Sequence, residues 1–254
     1  MLQQAGTRYV KIARYSYQGA IAFGIVDDDD LVVLTSDPMF AGFDTTGDRV
    51  ALADVKLLAP VIPRSKIIAV QDLGAEPDFV LRPNTAVVGP QDAIVLPFAS
   101  ERIEVNGQLA IIIGKIAKNV SVADAASRVF GYTVASVVTA ADLVERSVTR
   151  AGAFDTFLPL GPVIETEFDD AASPLRGLIN DEEFQAADLD EHDATTEETI
   201  AGLVAFASSV FTLLPGDVIL AGPLDTPAAV VDGDTVTMSI AGIGSLINSV
   251  TRPA

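Results

Sequence analysis

The chain has 254 residues, of which 49% are hydrophobic and 20% charged. This composition predicts a folded protein with a large core, because burial of apolar surface can offset the entropy cost of ordering the chain. The formal net charge of -19 argues against binding to nucleic acid or to an anionic membrane surface. With no cysteine and one histidine, the sequence excludes disulfides and thiolate zinc sites and leaves little material for nucleophile–histidine chemistry.

The sequence predicts neither a secretion signal nor a membrane span. Its N-terminal segment lacks the apolar core of a signal peptide, so we expect a cytoplasmic protein. The longest uncharged run extends from Thr199 to Gly216, but it contains two serines and ends in a Pro-Gly turn. This pattern predicts a helix, a turn and a strand.

The N-terminal part predicts a small β-meander. Three alternating runs, VKIARYSY, AIAFGIV and LVVLT, are separated by Gln18-Gly19 and by the aspartates Asp27 to Asp30. No glutamate follows the aspartates at the spacing of an EF-hand calcium loop, so we interpret them as a solvated turn. The stretch from Pro38 to Pro63 is rich in turn residues and predicts a boundary between a small leading domain, residues 1–63, and a main body, residues 64–254.

The main body is predicted to be a β-rich α+β fold. Pro and Gly separate the β-type runs KIIAV, AVVG, AIVLP and LAIIIG, and later runs GYTVASVV, DVILAG, DTVTMSI and SLINSV predict further strands. A helix is expected after Ser121, which suits an N-cap, as far as Val129. A second helix is expected from Thr199 to Phe206, preceded by two glutamates that favour a helix N-terminus.

Seven ordered segments resemble the fumarylacetoacetate hydrolase family. They are KIARYSYQG, VKLLAPVIPRSKIIAV, FVLRPNTAVVGPQDAIVLP, LAIIIGKIAKNVSVADA with GYTVA, AFDTFLPLGP, LLPGDVILAG and AGIGSLINSV. The resemblance covers nearly the whole chain and implies a mixed β-roll with a small N-terminal β domain, usually assembled as a homodimer. It also implies chemistry on small oxo-acids, which family members cleave, decarboxylate or isomerise with Mg²⁺ or Mn²⁺ held against the substrate oxygens.

The sequence departs from the metal ligands that the resemblance implies. Alignment of ERIEVNGQLAIIIG places Asn106 and Gln108 at the positions of a Glu-x-Glu pair, and alignment of GYTVASVVTAADL places Val137 at that of an aspartate. Hard cations prefer anionic oxygen ligands, and these three residues supply no negative charge. We therefore expect no metal and no Mg²⁺ or Mn²⁺ cofactor at this position, and we assign no catalytic residue.

Further departures concern the expected pocket. Residues 71–78 replace a longer segment that carries a water-activating His–Glu pair in the family. Gly152 stands at the position of a lysine that often precedes the FDTF segment, and Arg82 stands where a lysine is common and keeps the charge. By the resemblance, the pocket is lined by Arg82, Asn106, Gln108, Val137 and Gly152.

Other carboxylates offer a possible replacement for the lost ligands. The candidates are Glu101, Glu104, Asp142 and Glu145, and each is also explained as a surface charge or a helix start. The array Asp188, Asp190 and His192 is a weak metal signal, and a solvated loop histidine is the simpler interpretation.

The sequence favours a catalytically degenerate member of the family that retains a pocket for a small oxo-acid. Two alternatives remain open. One is an active hydrolase, decarboxylase or isomerase with relocated metal ligands, and the other is a regulatory partner of an active paralogue.

Overall fold

The computed structural model of the protein describes residues 10–71, 78–168, 174–187, 196–221 and 226–253. In chain order, the strands are β1 (Lys11–Tyr17), β2 (Ala20–Asp27), β3 (Asp30–Leu34), β4 (Thr45–Ala51), β5 (Lys56–Leu57), β6 (Ile67–Val70), β7 (Phe79–Arg82), β8 (Val87–Val88), β9 (Ile94–Val95), β10 (Ile103–Ile113), β11 (Val129–Ala140), β12 (Leu158–Glu165), β13 (Leu175–Ile179), β14 (Glu182–Ala187), β15 (Val218–Ala221), β16 (Ala228–Val230), β17 (Thr235–Ile240) and β18 (Gly244–Thr251). The helices are α1 (Pro38–Ala41), α2 (Val122–Ala125), α3 (Val148–Ala151) and α4 (Thr196–Val210).

The strands of the described residues form two mixed sheets. The larger follows the order β4-β3-β2-β1-β12-β11-β10-β15-β6-β7, with β5, β8 and β16 paired alongside, and the smaller follows β14-β13-β17-β18-β9. Side chains of both sheets meet in one large apolar cluster, for example Leu109 and Val134 with Leu175 and Met238. This β-rich α+β architecture confirms the predicted fold class.

The predicted N-terminal meander is present and joins the main sheet. Strands β1, β2 and β3 pair antiparallel in sequence, and the aspartates form the turn between β2 and β3. Arg49 binds two of these carboxylates, Asp27 at 2.8 Å and Asp30 at 3.0 Å. Strand β1 also pairs with β12, with Ile12 opposite Ile164, so the meander extends the sheet of the main body.

The centre of the large sheet is the long hairpin of β10 and β11. Both strands are buried on nearly every residue, because each of their faces packs on a separate apolar cluster. Such strands carry near-continuous apolar runs instead of strict alternation. In their antiparallel register, Asn106 lies opposite Val137 and Gln108 lies opposite Ala135.

The helices are few and mostly short. The Ser121 hydroxyl accepts a hydrogen bond from Asp124 N at 3.2 Å, which confirms the predicted cap of α2. A tighter turn follows this helix from Ala126 to Arg128. Helix α4 extends beyond the predicted limits at both ends, and the turn and strand β15 follow it as predicted. Within the described ranges, no helix is long and apolar enough to cross a membrane.

Candidate functional site

A cavity of about 230 Å³ lies against the β10–β11 hairpin. It brings together all five residues that the sequence placed in one pocket: Arg82, Asn106, Gln108, Val137 and Gly152. The remaining wall is formed by Gln71, Val80, Glu104, Thr139, Ala141, Val144, Val148 and Pro227. Thr139 was not among the predicted pocket residues, although its position two residues after Val137 on one strand places both side chains on the same face and could have indicated it.

Three of the pocket residues converge because of strand geometry. Asn106 and Gln108 are two residues apart on β10 and therefore point to the same face of the sheet. Val137 is directly opposite Asn106 on β11. Gln108 is 4% exposed, its Nε2 donates to Asn106 Oδ1 at 3.3 Å, and its Oε1 is buried without a hydrogen-bond partner.

Arg82 places a buried positive charge at the cavity. It ends β7 and is 7% exposed. Its Nη1 donates to the carbonyl oxygens of Val138 at 2.8 Å, Gly152 at 3.1 Å and Phe157 at 3.3 Å, and its Nη2 donates to Thr139 Oγ1 at 3.3 Å. All these acceptors are neutral. Burial lowers the pKa of Arg82 to about 10, so the guanidinium remains charged at neutral pH.

Gly152 leaves the space that this guanidinium occupies. It follows α3, and a Cβ at this position would lie 2.8 Å from Cζ of Arg82 and 2.9 Å from its Nη2. A lysine at residue 152 would therefore displace Arg82 from its present position. Gly152 and Arg82 therefore pack directly against each other in the wall of the cavity.

Of the four alternative carboxylates, Glu104 is the one that borders the cavity. It shares a face of β10 with Asn106, and its Oε1 lies 3.3 Å from Arg102 Nε. Asp142 instead caps a turn, where hydrogen bonds from the Ser100 hydroxyl and the Glu101 amide lower the pKa of its carboxyl group. Glu101 and Glu145 are exposed and do not line this cavity in the described part of the chain. The expected loop with Asp188, Asp190 and His192 lies outside the described residues.

The three residues that the resemblance aligned with metal ligands, Asn106, Gln108 and Val137, do not fit Mg²⁺ or Mn²⁺ by their own chemistry. The two amides bind each other, and the valine has no donor atom. Mg²⁺ gives up its water reluctantly, and neutral amides supply no charge to offset that cost. In the ranges that the structure describes, no three His, Cys, Asp or Glu side chains cluster at a distance that could hold a metal. We therefore assign no metal to these residues.

Comparison with known proteins identifies the family. A family model described as fumarylacetoacetate (FAA) hydrolase C-terminal matches residues 62–251, and a model described as Rv2993c-like, N-terminal matches residues 10–60. The chain is 41% identical over 229 residues to Protein Rv2993c of Mycobacterium tuberculosis, which covers 82% of this chain and 83% of the relative. It is 32% identical over 225 residues to the human mitochondrial oxaloacetate tautomerase FAHD2B, covering 78% and 70% of the two chains.

Solved structures agree with these sequence matches. The fold matches that of 5-carboxymethyl-2-hydroxymuconate delta-isomerase from Mycobacterium smegmatis with a TM-score of 0.88 and 36% identity, covering 96% of this chain and 100% of the other. The family model and the relatives each match most of the chain. They therefore confirm the family resemblance that was inferred from the ordered segments. The chain belongs to the fumarylacetoacetate hydrolase family.

Proposed function

We propose that the protein binds a small carboxylate of the oxo-acid type in the cavity beside Arg82, without the metal that the family uses. The observation that carries this proposal is the state of Arg82, a buried cation at the cavity wall whose described partners are all neutral. Burying a charge is costly unless an opposite charge accompanies it. A ligand carboxylate in the cavity would supply that charge.

The rest of the wall supports a ligand that is polar at one end and apolar at the other. Asn106 and Gln108 offer amide hydrogen bonds, whereas Val80, Val137 and Val148 offer apolar contact. A short carbon chain that carries a carboxylate matches both kinds of surface. Because the resemblance aligns neutral residues with the anionic ligands and implies no His–Glu pair in this chain, we propose binding without turnover of oxaloacetate or acylpyruvates.

A second candidate function is proton transfer by Glu104. This carboxylate borders the cavity beside Asn106, and the relatives compared above are named a tautomerase and an isomerase. Glu104 would take a proton from the carbon next to an oxo group, an amide N–H group would stabilise the enolate oxygen, and Glu104 would then return the proton to that oxygen to give the enol. In this second candidate the protein is an active isomerase, and its chemistry needs no metal at Asn106 and Gln108.

Isothermal titration of the full chain with pyruvate, and with pyruvamide as its uncharged counterpart, tests the binding proposal. We expect heat from the carboxylate and none from the amide, and we expect Arg82→Met to lose the binding. Arg176→Met, on the exposed face of the smaller sheet, is the matched control. Equal binding of pyruvate and pyruvamide contradicts the proposal without any variant, so a folding defect in Arg82→Met would not obscure the result.

Turnover separates the two candidates. For a binding protein, the decay and tautomerisation of oxaloacetate should match the protein-free control with or without Mn²⁺. Tautomerisation above that control, lost in Glu104→Gln and kept in Glu183→Gln, would favour the proton-transfer enzyme.

We propose a cytoplasmic homodimer with a domain boundary near residue 63, in keeping with the family's usual assembly. Light scattering at micromolar concentration tests the dimer, and a monomeric mass would contradict it. Co-purification of a paralogue at a fixed ratio would instead favour the regulatory-partner alternative.

A further inference from the structure

A second cavity, of about 450 Å³, lies between the N-terminal meander and the main body. Its wall includes Ile12 and Phe23 of the meander, Ile62 of the turn-rich stretch after it, and Phe130 and Ile164 of β11 and β12. We infer that this cavity is a binding site for a planar aromatic monocarboxylate. The inference goes beyond the proposed function and does not depend on it, because no described residue borders both cavities.

Aromatic side chains give the second cavity a surface for a flat ring. Phe23, Phe40 and Phe130 border it, and the ring of Phe130 lies parallel to that of Phe43, with their centroids 6.5 Å apart. Phe40 is 53% exposed and Ile62 is 49% exposed, so apolar surface at the wall is accessible to a ligand. Because aromatic rings pair by stacking or by edge-to-face contact, a ligand with a ring gains more here than an aliphatic ligand of equal size.

Two arginines give the second cavity a positive charge on a strongly acidic chain. Arg14 and Arg64 border it with one carboxylate, Asp37, which leaves a formal charge of +1, whereas the whole chain carries -19. Arg14 Nη1 donates to Ala59 O at 3.3 Å, and Arg64 Cζ lies 4.6 Å from the ring centroid of Phe40. Among the described residues, neither guanidinium lies within ion-pair distance of a carboxylate. Both can therefore donate charge-assisted hydrogen bonds to a ligand carboxylate.

Asp37 limits the second cavity to one negative group. Its Oδ1 accepts a hydrogen bond from Met39 N at 3.1 Å, which caps α1. Burial lowers the pKa of the Arg14 guanidinium, and the charge of Asp37 acts in the opposite direction with a smaller effect. A partly desolvated guanidinium gains from a nearby opposite charge. Because Asp37 balances one of the two arginines, the cavity attracts a ligand with a single carboxylate.

Isothermal titration of the full chain with indole-3-acetate and 2-naphthoate, each compared with its uncharged amide, tests the inference. We expect both acids to bind at least about tenfold more tightly than their amides, because hydrogen bonds to a charged acceptor are stronger than those to a neutral one. Acetate, which carries the same charge without the ring, should give no heat.

Two variants with opposite expected effects assign the binding to the second cavity. Arg64→Met keeps an apolar side chain beside Phe40 and removes one cation, so both acids should bind at least about tenfold more weakly. Asp37→Asn keeps an oxygen that can cap α1 and removes the competing charge, so both acids should bind about two- to fivefold more tightly. A folding defect cannot produce this gain in affinity. The matched control Arg146→Met, exposed and outside the cavity, should leave the affinity for both acids unchanged.

Three results would overturn the inference. The first is equal binding of the acids and their amides, because the arginines would then contribute nothing to recognition. The second is absence of binding by both acids, as expected if a second copy of the chain covers the cavity. The third is binding that changes in neither Arg64→Met nor Asp37→Asn, because the acids would then occupy another site. None of these results affects the pyruvate titration of the first cavity, which tests the proposed function separately.

Discussion

The side-chain amide of Gln185 binds both backbone groups of Gly107 across the two sheets. Gly107 N donates to Gln185 Oε1 at 2.7 Å, and Gln185 Nε2 donates to Gly107 O at 3.2 Å. Gly107 stands between Asn106 and Gln108, so this contact holds the strand segment from which both pocket amides project. A Cβ at Gly107 would lie 2.8 Å from Leu175 Cδ2, which explains why glycine suits this close approach.

Loss of the Gln185 amide is expected to destabilise the fold. Gln185→Met keeps the apolar length of the side chain but leaves the N–H and C=O of Gly107 unpaired in the interior. We expect the free energy of unfolding to fall by about 2–4 kcal/mol, as expected for two buried polar groups without partners. Urea denaturation measures the change, and exposed Gln91→Met should alter stability by less than about 0.5 kcal/mol. Equal stability of the two variants would refute the role assigned to Gln185.

The packing of Arg82 on Gly152 predicts energetic coupling between the two residues. Gly152→Ala should destabilise the protein by about 1–3 kcal/mol, because its methyl group would overlap the guanidinium. In an Arg82→Met background, the flexible side chain can move aside and the cost of Gly152→Ala should fall. A double-mutant cycle by chemical denaturation measures this coupling. Strictly additive effects of the two substitutions on the free energy of unfolding would contradict direct packing between Arg82 and Gly152.

The five residues that the resemblance implied for a pocket border one cavity, whereas local patterns in the sequence did not predict the contacts that hold them in place. The family resemblance selected Asn106, Gln108 and Val137, and the spacing of two residues along β10 placed the two amides on one face. The contact between Gly107 and Gln185 joins residues 78 positions apart and depends on how the two sheets pack, which local patterns do not specify. The sequence likewise predicted β1 as a strand but not its pairing with β12. Long-range pairing is decided by the assembled core, whereas periodicity reports only which face of an element is buried.

Glu165 is expected to make stability depend on pH. It is 3% exposed, and burial raises the pKa of its carboxyl group. A carboxyl group with a raised folded-state pKa contributes stability below its unfolded pKa of about 4.5, and this contribution is lost as pH rises through the folded value. The free energy of unfolding of Glu165→Gln should therefore increase relative to that of the unchanged protein as the pH is raised from 4 to 7. The exposed control Glu183→Gln should show no such increase. Urea denaturation at both pH values measures the difference, and a constant difference for Glu165→Gln would contradict the assignment.

Restoration of the three carboxylates should create a metal site only when all three are present. Asn106→Glu and Gln108→Glu supply two anionic ligands, but Val137 still blocks the third position, so we expect Mn²⁺ to bind tightly only after Val137→Asp is added. The triple variant should bind Mn²⁺ at least about 100-fold more tightly than the unchanged protein, because even supporting groups around a metal change affinity by about 10–100-fold.

The triple variant should also differ from the unchanged protein in its melting temperature. Without metal, the three introduced carboxylates lie close together and repel one another, so the melting temperature should fall. Mn²⁺ should restore it, because a ligand that binds the folded state stabilises that state. The matched control carries Asn106→Glu and Gln108→Glu with Val137→Asn, which has the size of the triple variant and one charge less. The prediction is wrong if this control binds Mn²⁺ as tightly as the triple variant. It is also wrong if the unchanged protein already holds stoichiometric Mn²⁺, because the lack of carboxylates at residues 106, 108 and 137 would then not prevent metal binding.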